Sequence, residues 1–471
     1  MLADPPAYDL DIRTDDKRLR AALADAVSIP FWLDDPGRPL PEASLIGGIE
    51  TDLLVVGGGY CGLWTALQAK EQDPGRDVVL VEGEEIGWAA SGRNGGFVEA
   101  SLTHGRVNGA RYFAGDLEVL ATLAEENFAG FRATMTRYGI DAEYEEAGGL
   151  SVAIEPHQVE LLRDAPGRFY DRDELAGLVR SPLYRAGLFH ESGNALVHPG
   201  KLARGLKAAC RSLGVRIFEH TRVERLADRG ATVRAATGMG VVRARQVVLA
   251  TNGFRSLLRR NRMLTLPVYD YVLMTEPLSA AQLDEIGWHG RFGISDSSRQ
   301  FHYYRKTADN RILWGGYDAV YHRGGRVRPE FDQRPETFAR LADHFLRTFP
   351  QLGDVRFTHA WGGMIDMSTQ LAAFEGVAMR GKVAYAGGFT GLGVAATRFA
   401  GSVMLDLLAG ADTPRTRLRM ATKRPLPIPP EPIAYPAVQL IRRAIARSDR
   451  NGGRDGLILR TANLLGFSFD S

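Results

Sequence analysis

The most constraining feature of this sequence is Gly57-Gly58-Gly59-Tyr60-Cys61-Gly62, a G-x-G-x-x-G run that directly follows the continuous apolar stretch Thr51 to Val56. An unbroken apolar run of that length reads as a strand buried on both faces of a parallel sheet. Tyr60 to Gln72 carries apolar residues near helical spacing and is stopped by Asp73-Pro74-Gly75, and Asp77 to Glu82 is a second strand. Strand, glycine turn, helix and strand together predict a βαβ unit whose helix N-terminus faces a diphosphate. Gly57 permits the tight turn, Gly59 the approach of a pyrophosphate, and Gly62 the close packing of helix on strand. Glu82 falls twenty positions after Gly62, where a carboxylate accepts hydrogen bonds from a ribose diol and disfavours a 2′-phosphate. The reading is a dinucleotide site, nicotinamide or flavin, with Tyr60 and Cys61 inside the motif.

Similar signals recur far along the chain. His198 to Leu213 reads as a helix, Val215 to Phe218 as a strand, and short β-like runs follow through Val223, Val233 and Val241. Gln246 to Ala250 is a buried strand running into Thr251-Asn252-Gly253, and Lys382 to Ala386 is another, joined by Gly387 to Gly393 to a helix over Val394 to Leu408. Between these pieces, residues 115 to 139 look helical, 148 to 154 look like a strand, and alternating segments at Tyr269 to Met274, Phe301 to Tyr304 and Arg311 to Leu313 predict antiparallel strands. The expected fold is therefore α/β, a discontinuous Rossmann-type domain over 49–105, 195–258 and 356–411. A mixed, mainly antiparallel sheet domain over 106–194 and 259–355 is inserted into it. Residues 1–48 read as an irregular surface leader anchored by Phe31-Trp32-Leu33, and 412–471 as a tail with one helix from Ala437 to Arg450.

Composition narrows the classes. Lys plus Arg total 58 against 56 Asp plus Glu, too balanced for general nucleic-acid binding. Two cysteines, Cys61 and Cys210, exclude a disulfide framework and a four-cysteine metal site, and no metal is expected. The acidic, proline-bearing start lacks an export signal, and no run of about eighteen apolar residues occurs, so the expected location is cytoplasmic. Glycine alone is unusual, with 53 in 471 residues against a typical ~7%. Beyond the first motif it clusters in Ala90-Ser91-Gly92-Arg93-Asn94-Gly95-Gly96 and in Gly387-Gly388-Phe389-Thr390-Gly391-Leu392-Gly393. Small residues there let backbone amides approach a diphosphate or a planar ring, and the second run again opens a helix, suiting the charge on a reduced flavin.

These motifs, with His198-Pro199 and Ala250 to Gly253, resemble the FAD-dependent D-amino acid oxidase superfamily over about residues 30 to 410. The branch most similar is that of glycine oxidase, sarcosine oxidase and especially γ-glutamylputrescine oxidase. The resemblance implies FAD bound by Gly57, Tyr60 and Cys61 with Gly59 and Gly62, by Glu82, and by Ser91, Gly92, Arg93, Asn94, Gly95 and Gly96. It implies further that Val223 lies beside adenine, with Thr251 and Gly253 near the cofactor, and that Thr390, Gly391, Leu392, Gly393 and Val394 lie under the flavin ring. It implies an FAD-dependent oxidoreductase in which an uncharged amine or amino acid derivative transfers hydride to flavin N5, leaving an imine that hydrolyses, with O2 or another acceptor taking the electrons.

Three departures shape the expectations. No cysteine follows Cys210 and no histidine lies between Glu82 and Phe97, so the family's covalent flavin links are missing and non-covalent FAD is expected. Trp314 stands where the sarcosine oxidase branch has an oxygen-activating lysine, which argues against fast reaction with oxygen, and Ala395 where it has a carboxylate-binding lysine, which favours an amine, or a carboxylate held elsewhere, over a simple amino acid. Candidate substrate-side residues are His104, Tyr303, Tyr304, Arg305, Trp314 and Trp361, with Met364 nearby; aromatic walls suit an amine by cation-π contact, and Arg305 suits an acidic group. A flavin monooxygenase and a non-catalytic dinucleotide-binding protein are the alternatives. In the tail, Arg442, Arg443, Arg447 and Arg450 beside Val438, Leu440, Ile441 and Ile445 suit either a membrane surface or packing on the domain.

Overall fold

The computed structural model describes residues 6–464; the first five residues of the leader and the last seven of the tail lie outside the described residues. Gly47–Val56 is the central strand of an eight-stranded sheet. It pairs in parallel with Gly240–Leu249 on one side, Val55 opposite Val248, and with Val78–Val81 on the other, Val55 opposite Leu80. Val383–Gly387 and Arg216–Phe218 extend the parallel set outward, and Phe374–Ala378 closes one edge antiparallel. Leu53, Leu54 and Val55 are wholly buried because the strand is covered twice. Leu53 and Val55 join a core built with the helices Tyr60–Gln72, Pro199–Ser212 and Gly393–Ala409. Leu54 and Val56 join another beneath Thr232–Thr237 and Val223–Arg229.

The second sheet has nine strands. Its middle runs Thr265–Thr275, Ile312–Gly316, His302–Lys306, Gly293–Asp296 and Gly149–Ala153, antiparallel except where Gly293–Asp296 meets Gly149–Ala153. Side chains alternate between its faces. Tyr269, Tyr271, Tyr304 and Trp314 pack with Phe338, Leu341 and Phe345 of the helix Pro335–Thr348. The opposite face carries Val272, Leu313 and Trp361 and meets Trp32. The fold is thus the expected mixed α/β arrangement of a Rossmann-type domain with a second sheet domain.

Three segments differ from their sequence reading. Phe357–Ser368, grouped by sequence with the nucleotide-binding pieces, pairs along its length with Thr265–Thr275 in the second sheet. The leader is not irregular: Asp16–Leu23 is a helix whose Asp15 side chain accepts from the amides of Lys17 and Arg18, an acid-capped start. Tyr8 hydrogen-bonds Thr348 at 2.7 Å and Trp32 has no exposed surface, so the leader is part of the core. The tail holds more than the one expected helix, since Pro414–Arg417, Arg419–Thr422 and Leu457–Leu464 are helical besides Ala434–Arg450, which packs on the domain: Ala434 is buried with Tyr321 and Ile428, and Arg442 pairs with Asp318. Among the described residues no helix is long and apolar enough to cross a membrane.

Candidate active site

A cavity of about 920 Å³ opens at the carboxyl ends of the parallel strands, where open α/β sheets bind ligands. Gly57, Gly59, Glu82, Ser91, Val223, Thr251 and Gly253 all line it. The glycine loop is sterically committed. Gly57 has φ +114°, and a Cβ there would stand 2.3 Å from the carbonyl oxygen of Ala250; at Gly62 it would stand 1.9 Å from the carbonyl oxygen of Gly57. No side chain fits at either place: Gly57 makes the tight turn and Gly62 the close approach of helix to strand that the motif requires. Ser91 Oγ accepts from the Tyr60 amide at 2.9 Å, joining the loop to the second glycine run. Glu82 accepts from the amides of Gly58 (2.5 Å) and Glu84 (3.0 Å) and from Trp88 Nε1 (3.1 Å). Burial pushes its carboxyl up, and those donors oppose the shift. Tyr60 and Cys61 are buried in the helix, Tyr60 donating to the Pro199 carbonyl at 2.9 Å, and burial pushes the Cys61 thiol well up, so neither faces the cavity as a reactive group.

The second run is a folded loop. Asn94 donates to the carbonyls of Ala90 (3.0 Å) and Ser91 (3.1 Å) and accepts the Gly96 amide (2.8 Å), while its own carbonyl accepts Trp32 Nε1 (2.8 Å). Gly92 and Gly95 are buried, and a Cβ on Gly95 would press on the Tyr303 ring at 2.8 Å. Arg93 donates to the carbonyls of Trp88 (2.9 Å) and Gly362 (3.0 Å) and pairs with Asp332 at 2.6 Å. Arg305 donates to the carbonyls of Val197 (2.6 Å) and Gly96 (3.3 Å), and burial lowers it to about 9. Its work here is to fasten the sheet to the loop.

The third run is set by a residue that sequence reasoning missed. Asp366 accepts the amides of Gly388 (2.5 Å) and Phe389 (3.1 Å), and burial nevertheless holds it up at about 7. The turn it fixes leads through Thr390, Gly391 and Leu392 to the helix starting at Gly393, with Val394 and Ala395 buried in its first turn. The cavity reaches Gly387 and stops short of these residues. His104, at φ +51°, starts the helix Gly105–Phe113 with its ring beside the Phe389–Thr390 backbone; burial lowers it and Nε2 has no partner.

Of the substrate-side candidates, Tyr303, Arg305 and Trp361 lie on the face toward the Arg93–Gly96 loop. Tyr304 and Trp314 do not. Strand alternation turns both to the helix side, where Trp314 stacks on His302 (centroids 4.5 Å apart) and packs against Phe345 and Phe349. Trp314 therefore cannot stand in for a residue over the cofactor; Leu313 and Gly315 flank it on the other face. Met364 also belongs to the helix-side core. Asp270, beside Tyr303, had no sequence signal beyond its place in an alternating run.

The profile of the FAD dependent oxidoreductase (DAO) family matches residues 52–407. The chain belongs to that family. Gamma-glutamylputrescine oxidoreductase of Escherichia coli K12 is 31% identical over 398 residues, covering 81% of this chain and 88% of that protein. A probable oxidoreductase, OrdL, of Haemophilus influenzae is 28% identical over 381 residues, covering 77% and 84%. Glycine oxidase from Geobacillus kaustophilus shares the fold at TM-score 0.63 and 19% identity, over 77% of this chain and 96% of its own. Membership makes this chain an FAD-dependent oxidoreductase acting on amines or amino acids. The residues present fit the cofactor in one respect, that Gly57, Gly59 and Ser91 border an open cavity of about 920 Å³ at the start of the Tyr60–Gln72 helix.

Proposed function

We propose that the protein oxidises the C–N bond of an amine and binds its FAD non-covalently. Bound FAD would supply the acceptor for the two electrons that the α-carbon's C–H bond gives up as C–N becomes C=N, and the imine takes up water to give a carbonyl compound and the freed amine or ammonia. Gly57, Gly59 and the amides that open the Tyr60–Gln72 helix would hold the diphosphate, Glu82 the adenosine ribose, and Ser91 to Gly96 the flavin half. The chain's own part is positioning: Trp361 and Tyr303 hold a dry aromatic wall against the Arg93–Gly96 loop, and Asp366 fixes the turn before Gly393. The observation that carries the reading is this clamp, which brings the substrate-facing sheet and a cofactor loop into one rigid site. An amine is favoured over an α-amino acid because Ala395 occupies the first turn of the C-terminal helix, and the relative named for gamma-glutamylputrescine supports it.

The test is an absorption spectrum of the purified protein before and after acid precipitation, then anaerobic mixing with amines, N-methyl amino acids and D-amino acids. All flavin should appear in the supernatant, and amines should bleach the holoenzyme. Flavin retained in the pellet would overturn the non-covalent reading, and bleaching by amino acids alone would overturn the amine reading.

A further inference from the structure

The cavity is lined by two unlike sets of residues. One is the glycine loop with Glu82 and Ser91. The other carries Arg255 and Arg262, on the segment that follows Gly253, and Arg326 and Arg328, on the loop after Tyr321. These four arginines are exposed, and none is paired with a carboxylate among the described residues. Partial desolvation, and then the like charges of Arg255 and Arg259, lower the Arg262 guanidinium. The cations nearer the glycine loop are committed, Arg222 to Glu84 at 3.8 Å and Arg93 to Asp332 at 2.6 Å. Both arginine-bearing segments are held in place. Glu431 accepts the Gly324 amide at 3.0 Å and the Tyr321 hydroxyl at 2.8 Å, and the Arg328 amide donates to the Tyr269 hydroxyl at 3.2 Å. Beside Arg262, the Met263 carbonyl accepts the Ile428 amide at 2.7 Å. Ile428 and Glu431 belong to the tail, which therefore ties the two segments together and lines the cavity with them.

Cations gathered on one cavity without acids to neutralise them repel one another until an anion arrives. The anionic part of FAD is its diphosphate, and the start of the Tyr60–Gln72 helix offers it only about half a charge. Arginine supplies the rest, since its planar fork matches phosphate oxygens. We propose that Arg255, Arg262, Arg326 and Arg328 form a cationic cover for the diphosphate of FAD, with the tail holding both arginine segments in place. The inference rests on the reading above that puts the diphosphate at Gly57 and Gly59. It adds a grip by charge, from residues outside the glycine motifs, to the grip by backbone amides.

The test follows FAD released from the diluted holoenzyme, read as free flavin at low and at high ionic strength. Wild type should release FAD faster at high ionic strength, because exposed charges are screened there. Arg262→Gln combined with Arg326→Gln should release it about ten-fold faster than wild type at low ionic strength, with a shallower dependence on salt. The control is Arg259→Gln combined with Arg323→Gln, which takes the same charge from the same two segments at residues that do not line the cavity. It should stay near wild type. Salt-independent release by wild type, unchanged release by the Arg262 and Arg326 pair, or equal acceleration by the control would each overturn the cover. Unchanged release with a raised KM for the amine would overturn it too, and would give the arginines to an acidic group on the substrate. If Gly62→Ala keeps its FAD while the Arg262 and Arg326 pair sheds it, the cover stands and the glycine-loop reading falls. If Gly62→Ala alone sheds it, the reverse holds.

Discussion

The Trp361 indole donates through Nε1 to the carbonyl oxygen of Arg93 at 3.0 Å, and the Arg93 guanidinium donates back to the carbonyl of Gly362 at 3.0 Å. Two reciprocal bonds thus tie a strand of the second sheet to a loop that leaves the first. Since Trp361 is wholly buried, the tie is rigid. Catalysis depends on such registration, because a misplacement of about 1 Å can cost on the order of 100-fold in rate.

Replacing Trp361 by Phe keeps an aromatic ring and removes the donor, leaving the Arg93 carbonyl without it. An orphaned buried acceptor costs about 1–3 kcal/mol. Urea denaturation of Trp361→Phe should show a loss of that size, and titration of the apoprotein with FAD should show weaker binding. Unchanged FAD affinity would mean that the loop holds its place without the sheet.

The glycine cradle gives a sharper contrast. A Cβ at Gly62 meets the Gly57 carbonyl oxygen at 1.9 Å, whereas at Gly48 it meets nothing within 4 Å. Overpacking typically costs about 1–3 kcal/mol and here falls on the loop that would hold the diphosphate. Gly62→Ala should be isolated without flavin and with lowered stability; Gly48→Ala should be yellow and unchanged. A yellow Gly62→Ala protein would remove the diphosphate from this loop.

The turn, helix and strand ends of the candidate cofactor site were legible in the sequence because their signals are local. A doubly covered strand, a glycine turn and an acid at the next strand end lie within about thirty residues, and each answers a steric or electrostatic demand there. The substrate half depends on long-range pairing. Period-two alternation separates Tyr303 and Arg305 from Tyr304 but does not say which set faces the cofactor; that is decided by the helix Pro335–Thr348, which covers the other side. Phe357–Ser368 escaped notice as a sheet strand because Gly362, Gly363 and Asp366 interrupt its apolar pattern, yet its pairing with Thr265–Thr275 runs from Phe357 to Ser368. Asp366 gains its role in fixing the turn before Gly393 only from the backbone amides that folding brings to it.

Buried carboxylates set a pH dependence. Glu375 is 2% exposed with no hydrogen-bond partner for either oxygen, and burial holds it up at about 8, while Asp366 and Asp296 are held up at about 7. In the unfolded chain such groups titrate near 4. Between about pH 4 and 8 the native state therefore binds more protons than the unfolded one, so this contribution to stability is complete below about pH 4 and is lost as pH rises through 7 and 8. Thermal melts of the apoprotein should show Tm falling from pH 6 to pH 9. Glu375→Gln, neutral at every pH, should flatten that slope and be the more stable protein at pH 9. A slope that Glu375→Gln leaves untouched would show that Glu375 ionises in the folded state at no special cost.

Asp318 fastens the tail. It is 1% exposed, and although burial works against its charge, Arg340, Arg442 and Arg334 together hold its carboxyl below the usual range. Arg442, at 2.5 Å, belongs to the helix Ala434–Arg450, which follows the stretch matched by the family. Ahead of that helix, Ile428, Pro430 and Glu431 line the cavity at the carboxyl ends of the parallel strands, and Glu431 accepts the Tyr321 hydroxyl (2.8 Å) and the Gly324 amide (3.0 Å) across its rim. The tail is one wall of the cavity, pinned by Arg442 on Asp318, by the Glu431 bonds, and by Asp449, which accepts the amides of Arg299 and Gln300. Removing one of three cations should leave Asp318 paired and the fold intact, so Arg442→Ala should act on the wall alone: faster release of FAD and faster proteolysis between residues 424 and 434. Asp318→Asn strips the counter-charge from Arg340 and Arg442 and leaves Arg334 only Glu336, and should cost about 3–5 kcal/mol, the usual penalty for breaking a buried pair. FAD release rates and urea midpoints of the two variants separate these effects. An Arg442→Ala protein that releases FAD no faster than wild type would show that the wall stands on the tail's other bonds, those of Glu431 and Asp449 among them, without Arg442.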